Sequence, residues 1–270
     1  MYNSGDVLFL PLHTQICAMV NKRLNSLVNS GALFIHSDVP LSALSFSFEQ
    51  EEKPTYTVKD GIAHIAINDY LYLGNEAGAV QSYVDLLSEI KASDSIRGVV
   101  VELYSGGGQD TASDYLGNAI AEVSAIKPVV AYGHLMASGA YLAAVNANII
   151  VASSGISRFG SIGSYIPLDR FYRDIYATFM NDVYAEQSSD KNAEFREWVN
   201  EDATTKYQER ANASAGYFIS KVRMKRPYVS EEAYKGGLFD ADRAKQFGLI
   251  DGIGTLDYAF SRVASLANNY

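Results

Sequence analysis

Between Gly61 and Ala152 the sequence alternates short apolar runs with longer amphipathic stretches, and this alternation constrains the fold more than any other feature. The short runs predict strands at 61–67, 99–103, 127–132 and 148–152. The amphipathic stretches predict helices at 77–90 and 111–126. Strands that alternate with helices of this length form right-handed crossovers in a parallel sheet. The pattern therefore predicts an α/β domain with a mainly parallel sheet built from repeated ββα/βαβ units.

The rest of the chain continues with less regular patterns. They predict a turn or short strand at 157–163, a helix at 169–179, a short strand at 182–185, a long helix at 193–225 and short helices at 241–248 and 256–266. Before the sheet, residues 1–35 repeat apolar positions at helical spacing, and residues 37–58 are polar and mixed. We therefore expect an N-terminal amphipathic helix and arm over 1–58 and a single domain over 59–270.

Composition excludes several classes of partner. The formal net charge of −9 argues against nucleic acid as a partner, because the phosphate backbone attracts basic surfaces. The single cysteine, Cys17, excludes an intrachain disulfide framework and is typical of a reducing compartment. The four histidines are not spaced as metal ligands, so we expect neither a metal nor another cofactor. We expect no membrane span and a cytoplasmic protein, because no apolar run has the required length.

Ser138 lies where a predicted strand gives way to a helix of small residues that begins at Ala140. The free N–H groups at a helix N-terminus can bind an anion, so this position suits a nucleophile beside an oxyanion hole. The plain alternative is a serine that caps the helix. A second glycine-rich turn, Ser105-Gly-Gly-Gly108, also follows a predicted strand and could supply an oxyanion donor, cradle a phosphate or form a tight turn. The phosphate fingerprints are not present in it.

A nucleophilic serine needs a base, and the sequence offers histidine or lysine. No histidine follows Ser138; His134 lies on the same turn, and His64 alternates within a strand as a core histidine would. Lys191 precedes the predicted long helix, and a buried lysine can become a neutral base. Such a lysine needs an acceptor to orient its amine, and Ser161 could serve, although it could also be a turn serine.

Four motifs in order resemble a known family. They are Ser105-Gly-Gly-Gly108, Ala137-Ser-Gly-Ala-Tyr141, Gly160-Ser-Ile-Gly163 and Lys191. This set resembles the signal peptide peptidase A family of Ser-Lys proteases, which also contains phage capsid-maturation proteases. The resemblance covers roughly residues 60–262. It includes the spacing, since Ser138 precedes Ser161 by 23 residues and Lys191 by 53.

The resemblance implies a crotonase-like (Clp protease-like) fold, with Ser138 as the nucleophile, Lys191 as the general base and Ser161 as the partner that orients the lysine. It assigns the oxyanion hole to the backbone N–H groups of Gly139 and of Gly107 or Gly108. The family usually has Ser-Pro-Gly-Gly where this chain has Ser-Gly-Gly-Gly. Losing the proline removes a fixed φ from the loop but removes no N–H donor.

The resemblance further implies a serine endopeptidase that works through an acyl-enzyme on protein or peptide substrates. The N-terminal segment resembles the phage branch, whose members process capsid or scaffold proteins in an assembling procapsid, in the host cytoplasm or the procapsid interior. Small and apolar residues beside the serine, Leu135, Met136 and Ala137, suggest a shallow apolar S1 pocket. Oligomers, often rings, are common in this fold, so we expect a homo-oligomer.

Three alternatives stay open. The first is a cytoplasmic protease of the cellular branch that degrades peptides. The second is an acyl-CoA hydratase or isomerase of the crotonase type, although no pair of carboxylates lies at the glycine-rich loop or beside Ser138. The third is a non-catalytic relative in which Ser138 only caps a helix.

Overall fold

A computed structural model of the chain describes residues 53–68, 70–74 and 78–268. The helix expected within 1–35 and nearly all of the expected arm over 1–58 lie outside these residues, and the domain division stays a prediction. The first described strand begins at Tyr56, three residues before the expected start of the domain.

The described residues form an eight-stranded sheet. Its strands are β1 (Tyr56–Lys59), β2 (Ile62–Asn68), β3 (Gly98–Ser105), β4 (Val129–Ala137), β5 (Ile149–Ala152), β6 (Arg158–Gly160), β7 (Leu238–Asp240) and β8 (Gly252–Ile253). The order is β1-β2-β3-β4-β5-β8, with β6 beside β4 and β7 beside β6. Only β1–β2 and β6–β7 are antiparallel pairs within this sheet. The prediction of a mainly parallel sheet is confirmed.

Helices connect the parallel strands as the sequence pattern predicts. They are α1 (Val80–Ala92), α2 (Asp110–Ser124), α3 (Gly139–Ala144), α4 (Arg170–Phe179), α5 (Ala193–Glu201), α6 (Thr205–Lys225), α7 (Ala241–Gln246), α8 (Leu256–Ala267) and a 3-10 helix at Glu231–Lys235. The first three of them join β2 to β3, β3 to β4 and β4 to β5. Each connection is a βαβ unit, because the strands it joins are parallel.

Alternating side chains of the strands build two apolar layers. One face of the sheet packs with α1, α2 and α3 into the main core, which includes Val101 on β3 and Ala131 on β4. The other face packs against α8, where Val100 and Val130 meet Val263. Strands buried on both faces are expected of parallel sheets, and they explain the nearly continuous apolar runs in the sequence.

Two sequence-based predictions downstream are wrong. The helix predicted over 193–225 is two helices, because Asp202 adopts a left-handed φ of 53° and ends α5. Aspartate tolerates that conformation and competes for backbone hydrogen bonds. The strand predicted over 182–185 does not form. Instead, the Asp182 carboxylate accepts hydrogen bonds from the hydroxyls of Tyr176 and Tyr184.

An irregularity in β4 sets the position of everything that follows it. Leu103 pairs with Gly133, but the next residue, Tyr104, pairs with Leu135, so His134 is an extra residue in the ladder. Such a bulge bends the strand and redirects the residues beyond it. The strand continues to Ala137, five residues beyond its predicted end at 132. Ser138 therefore follows directly from a hydrogen-bonded strand.

Candidate active site

Ser138 occupies the junction of β4 and α3 in a conformation that L-residues rarely adopt. Its φ is 51° and its ψ is −126°. Such backbone strain in a non-glycine residue costs about 1–3 kcal/mol and is often found at functional sites. The side chain is half-buried and makes no capping hydrogen bond to α3. The alternative of a simple capping serine therefore lacks its defining hydrogen bond.

The glycine-rich turn after β3 lies directly against Ser138. Gly107 has a φ of +104°, and a Cβ placed there would come within 2.8 Å of the Ser138 Cβ and 2.7 Å of the Gly139 nitrogen. A Cβ on Gly139 would lie 2.0 Å from the Ser113 hydroxyl oxygen and 3.2 Å from the Gly108 nitrogen. Only backbone fits in this contact, which is why glycine is required on both sides. The structure thus brings Ser138 together with all three glycines predicted for the oxyanion hole.

The hydrogen bonds of this turn distinguish its N–H groups. The Gly107 N–H donates to the Ser105 hydroxyl at 3.1 Å. Leu71 pairs with the other side of the turn: its N–H donates to the Gly107 carbonyl at 2.9 Å, and its carbonyl accepts from the Gln109 N–H at 2.8 Å. Among the hydrogen bonds of the described residues, none uses the N–H of Gly108 or of Gly139 as donor. These two N–H groups are free to bind an oxyanion.

Ser161 lies on a turn that is bonded to the backbone of Ser138. The Ser138 N–H donates to the Gly160 carbonyl at 2.8 Å, and the Ser161 N–H donates to the Gly237 carbonyl at 2.6 Å. Gly160 and Ser161 both have positive φ, 110° and 53°. Ser161, the predicted orienting residue, therefore directly follows Gly160, whose carbonyl accepts the hydrogen bond from the predicted nucleophile Ser138.

Lys191 is not brought to Ser138 by any such contact. It lies on the exposed segment between α4 and α5, where its N–H donates to the Ser188 carbonyl at 3.1 Å. Its Nζ makes no hydrogen bond or ion pair within the part of the chain that the structure describes. The amine is therefore free to take another partner.

The residues predicted for the S1 pocket differ in their accessibility. Leu135 is half-buried, whereas Met136 and Ala137 are buried. Met136 belongs to the main core, and its Cε would lie 2.5 Å from a Cβ on Gly133. The reason is that β4 continues through this segment, so alternate side chains point into the core. The expectation that Met136 lines an open pocket is not met in this conformation.

Neither histidine considered as a base is directed to Ser138. His134 contacts Glu102 through Nε2 at 2.7 Å and the Ser153 hydroxyl through Nδ1 at 2.8 Å, so both ring nitrogens are engaged. His64 contacts the other carboxylate oxygen of Glu102 at 2.7 Å. Sequence reasoning missed this cluster. Its signal is the charged Glu102 within the otherwise apolar strand Val99–Leu103.

Comparison with known proteins decides the family of this chain. The family model "Peptidase family S49" matches residues 121–269, which is more than half of the 270-residue chain. The chain belongs to peptidase family S49. The matched region contains Ser138, Ser161 and Lys191. This confirms the resemblance to the signal peptide peptidase A family, and the crotonase-like α/β fold expected from the sequence is confirmed as well.

Two relatives extend the match of this S49 chain. A protein of Methanocaldococcus jannaschii, named as a candidate protease, is 31% identical over 192 residues, covering 69% of this chain and 61% of that protein. The chloroplastic serine protease SPPA of Arabidopsis thaliana is 28% identical over 198 residues, covering 70% of this chain and 28% of that protein. This chain therefore spans less than two thirds of the length of either relative.

Solved structures of low identity also match the S49 chain. An enoyl-CoA hydratase/isomerase family protein from Silicibacter pomeroyi is 13% identical, with a TM-score of 0.46 over 80% of this chain and 81% of that one. An enoyl-CoA hydratase/carnithine racemase from Magnetospirillum magneticum is 15% identical, with a TM-score of 0.47 over 80% of this chain and 73% of that one.

The described residues contain neither a metal-binding cluster nor a helix able to span a membrane. No group of three or more His, Cys, Asp or Glu side chains there is arranged to hold a metal ion. None of the helices in these ranges combines the length and the apolar character that a bilayer crossing requires.

Proposed function

We propose that this chain is a serine endopeptidase and that Ser138 is its nucleophile. The observation that carries the proposal is the strained Ser138 beside the N–H groups of Gly108 and Gly139, which donate to no acceptor among the described residues. N–H groups fixed beside a nucleophile stabilise the charge that develops on a carbonyl oxygen during acyl transfer. Family membership and the protease names of the relatives support the same reaction.

The proposed reaction has two steps, acylation of Ser138 and hydrolysis of the acyl-enzyme. The Ser138 Oγ attacks the scissile carbonyl carbon and loses its proton to a base, while the carbonyl oxygen becomes an oxyanion. The oxyanion accepts hydrogen bonds from Gly108 and Gly139. Because the Gly107 N–H is already bonded to Ser105, we assign the donor from this turn to Gly108. The C–N bond then breaks, the amine leaves with the proton, and water hydrolyses the acyl-enzyme by the reverse proton path.

We propose Lys191 as the base and Ser161 as the residue that orients its amine. The order and spacing of the three residues support this assignment. The absence of any partner for the Lys191 Nζ among the described residues also supports it, because moving this amine to Ser138 breaks no ion pair. Both ring nitrogens of His134 are engaged, which disfavours the histidine alternative.

The natural substrate is a narrower proposal. We propose protein or peptide substrates, specifically capsid or scaffold proteins of an assembling phage particle, cleaved by a homo-oligomer of this chain. This proposal rests on the resemblance of the sequence to the phage branch. Its test is whether capsid and scaffold genes lie beside the gene for this chain and whether the purified protein cuts their products. The proposal fails if no such genes lie there, or if an unrelated unfolded protein is cut equally well.

A fluorophosphonate probe tests the reaction class. We expect the probe to label the wild-type protein and the control Ser95→Ala, whose serine is exposed between α1 and β3, but not Ser138→Ala. Hydrolysis of a fluorescently labelled unfolded protein should follow the same pattern. Tight binding of coenzyme A without labelling would favour the acyl-CoA alternative. Neither labelling nor coenzyme A binding would favour a non-catalytic relative.

A further inference from the structure

A row of hydrogen-bonded polar side chains crosses the sheet on the face opposite the main core. It consists of His64 on β2, Glu102 on β3, His134 on β4, Ser153 just after β5 and Ser157 just before β6. Glu102 binds one histidine through each carboxylate oxygen, both at 2.7 Å. Ser153 lies 2.8 Å from the His134 Nδ1 and 2.9 Å from the Ser157 hydroxyl. We refer to these five residues as the polar row.

His134 lies at the point where β4 changes its neighbour. Residues 130–133 of β4 pair with β5, and residues 135–137 pair with β6. His134 belongs to neither stretch, and it is also the residue skipped in the pairing with β3. Beyond this point only three residues of β4 remain before Ser138. The direction that the strand takes at His134 therefore determines where Ser138 lies.

The side chain of His134 connects the bulge of β4 to the loop that joins β5 to β6. Ser153 is held to the end of β5, because its N–H donates to the Gly133 carbonyl at 2.9 Å. Ser157, only 4% exposed, closes the loop before β6 by accepting from the Ser154 N–H at 3.1 Å. His134 bonds Ser153 on one side and Glu102 of β3 on the other. It thus ties the central strand to the loop that leads to Gly160, whose carbonyl accepts from Ser138.

We infer that His134 is a positioning residue for Ser138. By joining Glu102 to Ser153 it fixes the bulge of β4, and the fixed bulge directs residues 135–137 along β6 so that Ser138 meets Gly107 and Gly160. His64 binds the same carboxylate but lies on β2, away from the bulge, and does not carry this role. The expected effect of His134 on the reactivity of Ser138 rests on the proposed function, whereas its expected effect on the backbone position of Ser138 does not.

Backbone amide exchange measured by NMR tests the inference without any activity. The reporter is the Ser138 N–H, which is protected by its bond to Gly160. We expect His134→Ala to accelerate exchange of this amide about tenfold, the effect of losing one hydrogen-bonded connection. His134→Gln keeps a donor and an acceptor on one side chain and should restore exchange to within about twofold of wild type. His64→Ala, the matched control, should also remain within about twofold.

Labelling of Ser138 by the fluorophosphonate probe should follow the same order, with a loss of about tenfold in rate for His134→Ala only. Equal effects of His64→Ala and His134→Ala on the Ser138 amide would overturn the inference, as would no effect of either. If His134→Ala does not fold, Ser153→Ala removes the same connection with a smaller change and should show the same acceleration. If the wild-type protein does not label, the proposed function fails, but amide exchange still decides the role of His134.

Discussion

The amide of Ser138 and the carbonyl of Gly160 form a 2.8 Å hydrogen bond that joins the end of β4 to the end of β6. The donor, Ser138, has a positive φ of 51°, and Ser161, which follows the acceptor Gly160, has a positive φ of 53°. Each strained residue is held by hydrogen bonds of its own backbone, and strain of this kind persists only where the surroundings enforce it. The two conformations are therefore parts of one constrained junction.

Strain at Ser138 predicts an unusual order of stability for two substitutions. Ser138→Ala removes the hydroxyl but keeps the disfavoured φ, whereas Ser138→Gly removes both. Glycine costs entropy in the unfolded chain, but relief of the strain exceeds that cost. We expect the free energy of unfolding in urea to be about 1 kcal/mol higher for Ser138→Gly than for Ser138→Ala. Equal stabilities would show that the conformation carries no strain.

Contact between the glycine turn and Ser138 predicts a sharp difference between adjacent glycines. A Cβ at Gly107 would come within 2.8 Å of the Ser138 Cβ and would adopt a φ of +104°. At Gly106 a Cβ would meet nothing within 4 Å. We expect Gly107→Ala to lower the free energy of unfolding by about 2 kcal/mol, because alanine is strained at this φ and its Cβ overlaps Ser138. Probe labelling should be abolished, because the Cβ displaces the serine.

Gly106→Ala is the matched control for that substitution. It should keep labelling within about twofold of wild type and change stability by less than about 0.5 kcal/mol. Loss of labelling in both variants would mean that the whole turn, and not its contact with Ser138, is sensitive to substitution.

Much of this arrangement could be predicted from local sequence. Strand and helix periods predict the βαβ units. The turns bearing Gly107 and Ser138 follow predicted strands, and Ser161 lies within the turn or short strand predicted over 157–163. These features depend on neighbours in sequence, so they leave a local pattern. Parallel strands also bring their carboxyl ends to one edge of a sheet, which explains why separate turns meet.

Features that depend on distant contacts could not be predicted in this way. The extra residue at His134 depends on Glu102 and Ser153, which lie 32 and 19 residues away along the chain. The choice between Gly107 and Gly108 as donor depends in part on pairing with Leu71, which precedes α1 in the chain. No periodicity encodes such partners, because each is decided by the register between strands.

Lys191 is exposed, so its substitution can test its proposed chemical role without disturbing the fold. Its Nζ has no partner among the described residues, so Lys191→Ala should change the free energy of unfolding by less than about 0.5 kcal/mol. Loss of a general base should lower the hydrolysis rate by about 100-fold or more. Lys245→Ala, at another exposed position, should leave both quantities unchanged. An active Lys191→Ala variant would remove Lys191 from the mechanism.

Buried Tyr141, the third residue of α3, predicts a loss of stability at alkaline pH. Its hydroxyl donates to the Leu249 carbonyl at 2.7 Å. Burial raises the pKa of Tyr141 far above its usual value, although the positive charge of Arg226 acts in the opposite direction and Asp251 adds to the increase. The folded protein therefore favours the neutral phenol, while in the unfolded chain a tyrosine ionises near pH 10, about its ordinary value.

The folded and unfolded chains therefore release the Tyr141 proton at different pH values. The contribution of Tyr141 to stability is complete below about pH 10 and is lost as the pH rises further, because only the unfolded chain then releases the proton. Tyr141→Phe should cost about 1–2 kcal/mol in urea unfolding at pH 8, since the Leu249 carbonyl loses its partner. Between pH 8 and pH 11 this variant should lose less stability than wild type. Tyr228→Phe, at a side chain that is 94% exposed, should match the wild-type profile, and parallel profiles for all three proteins would exclude the buried phenol as the source.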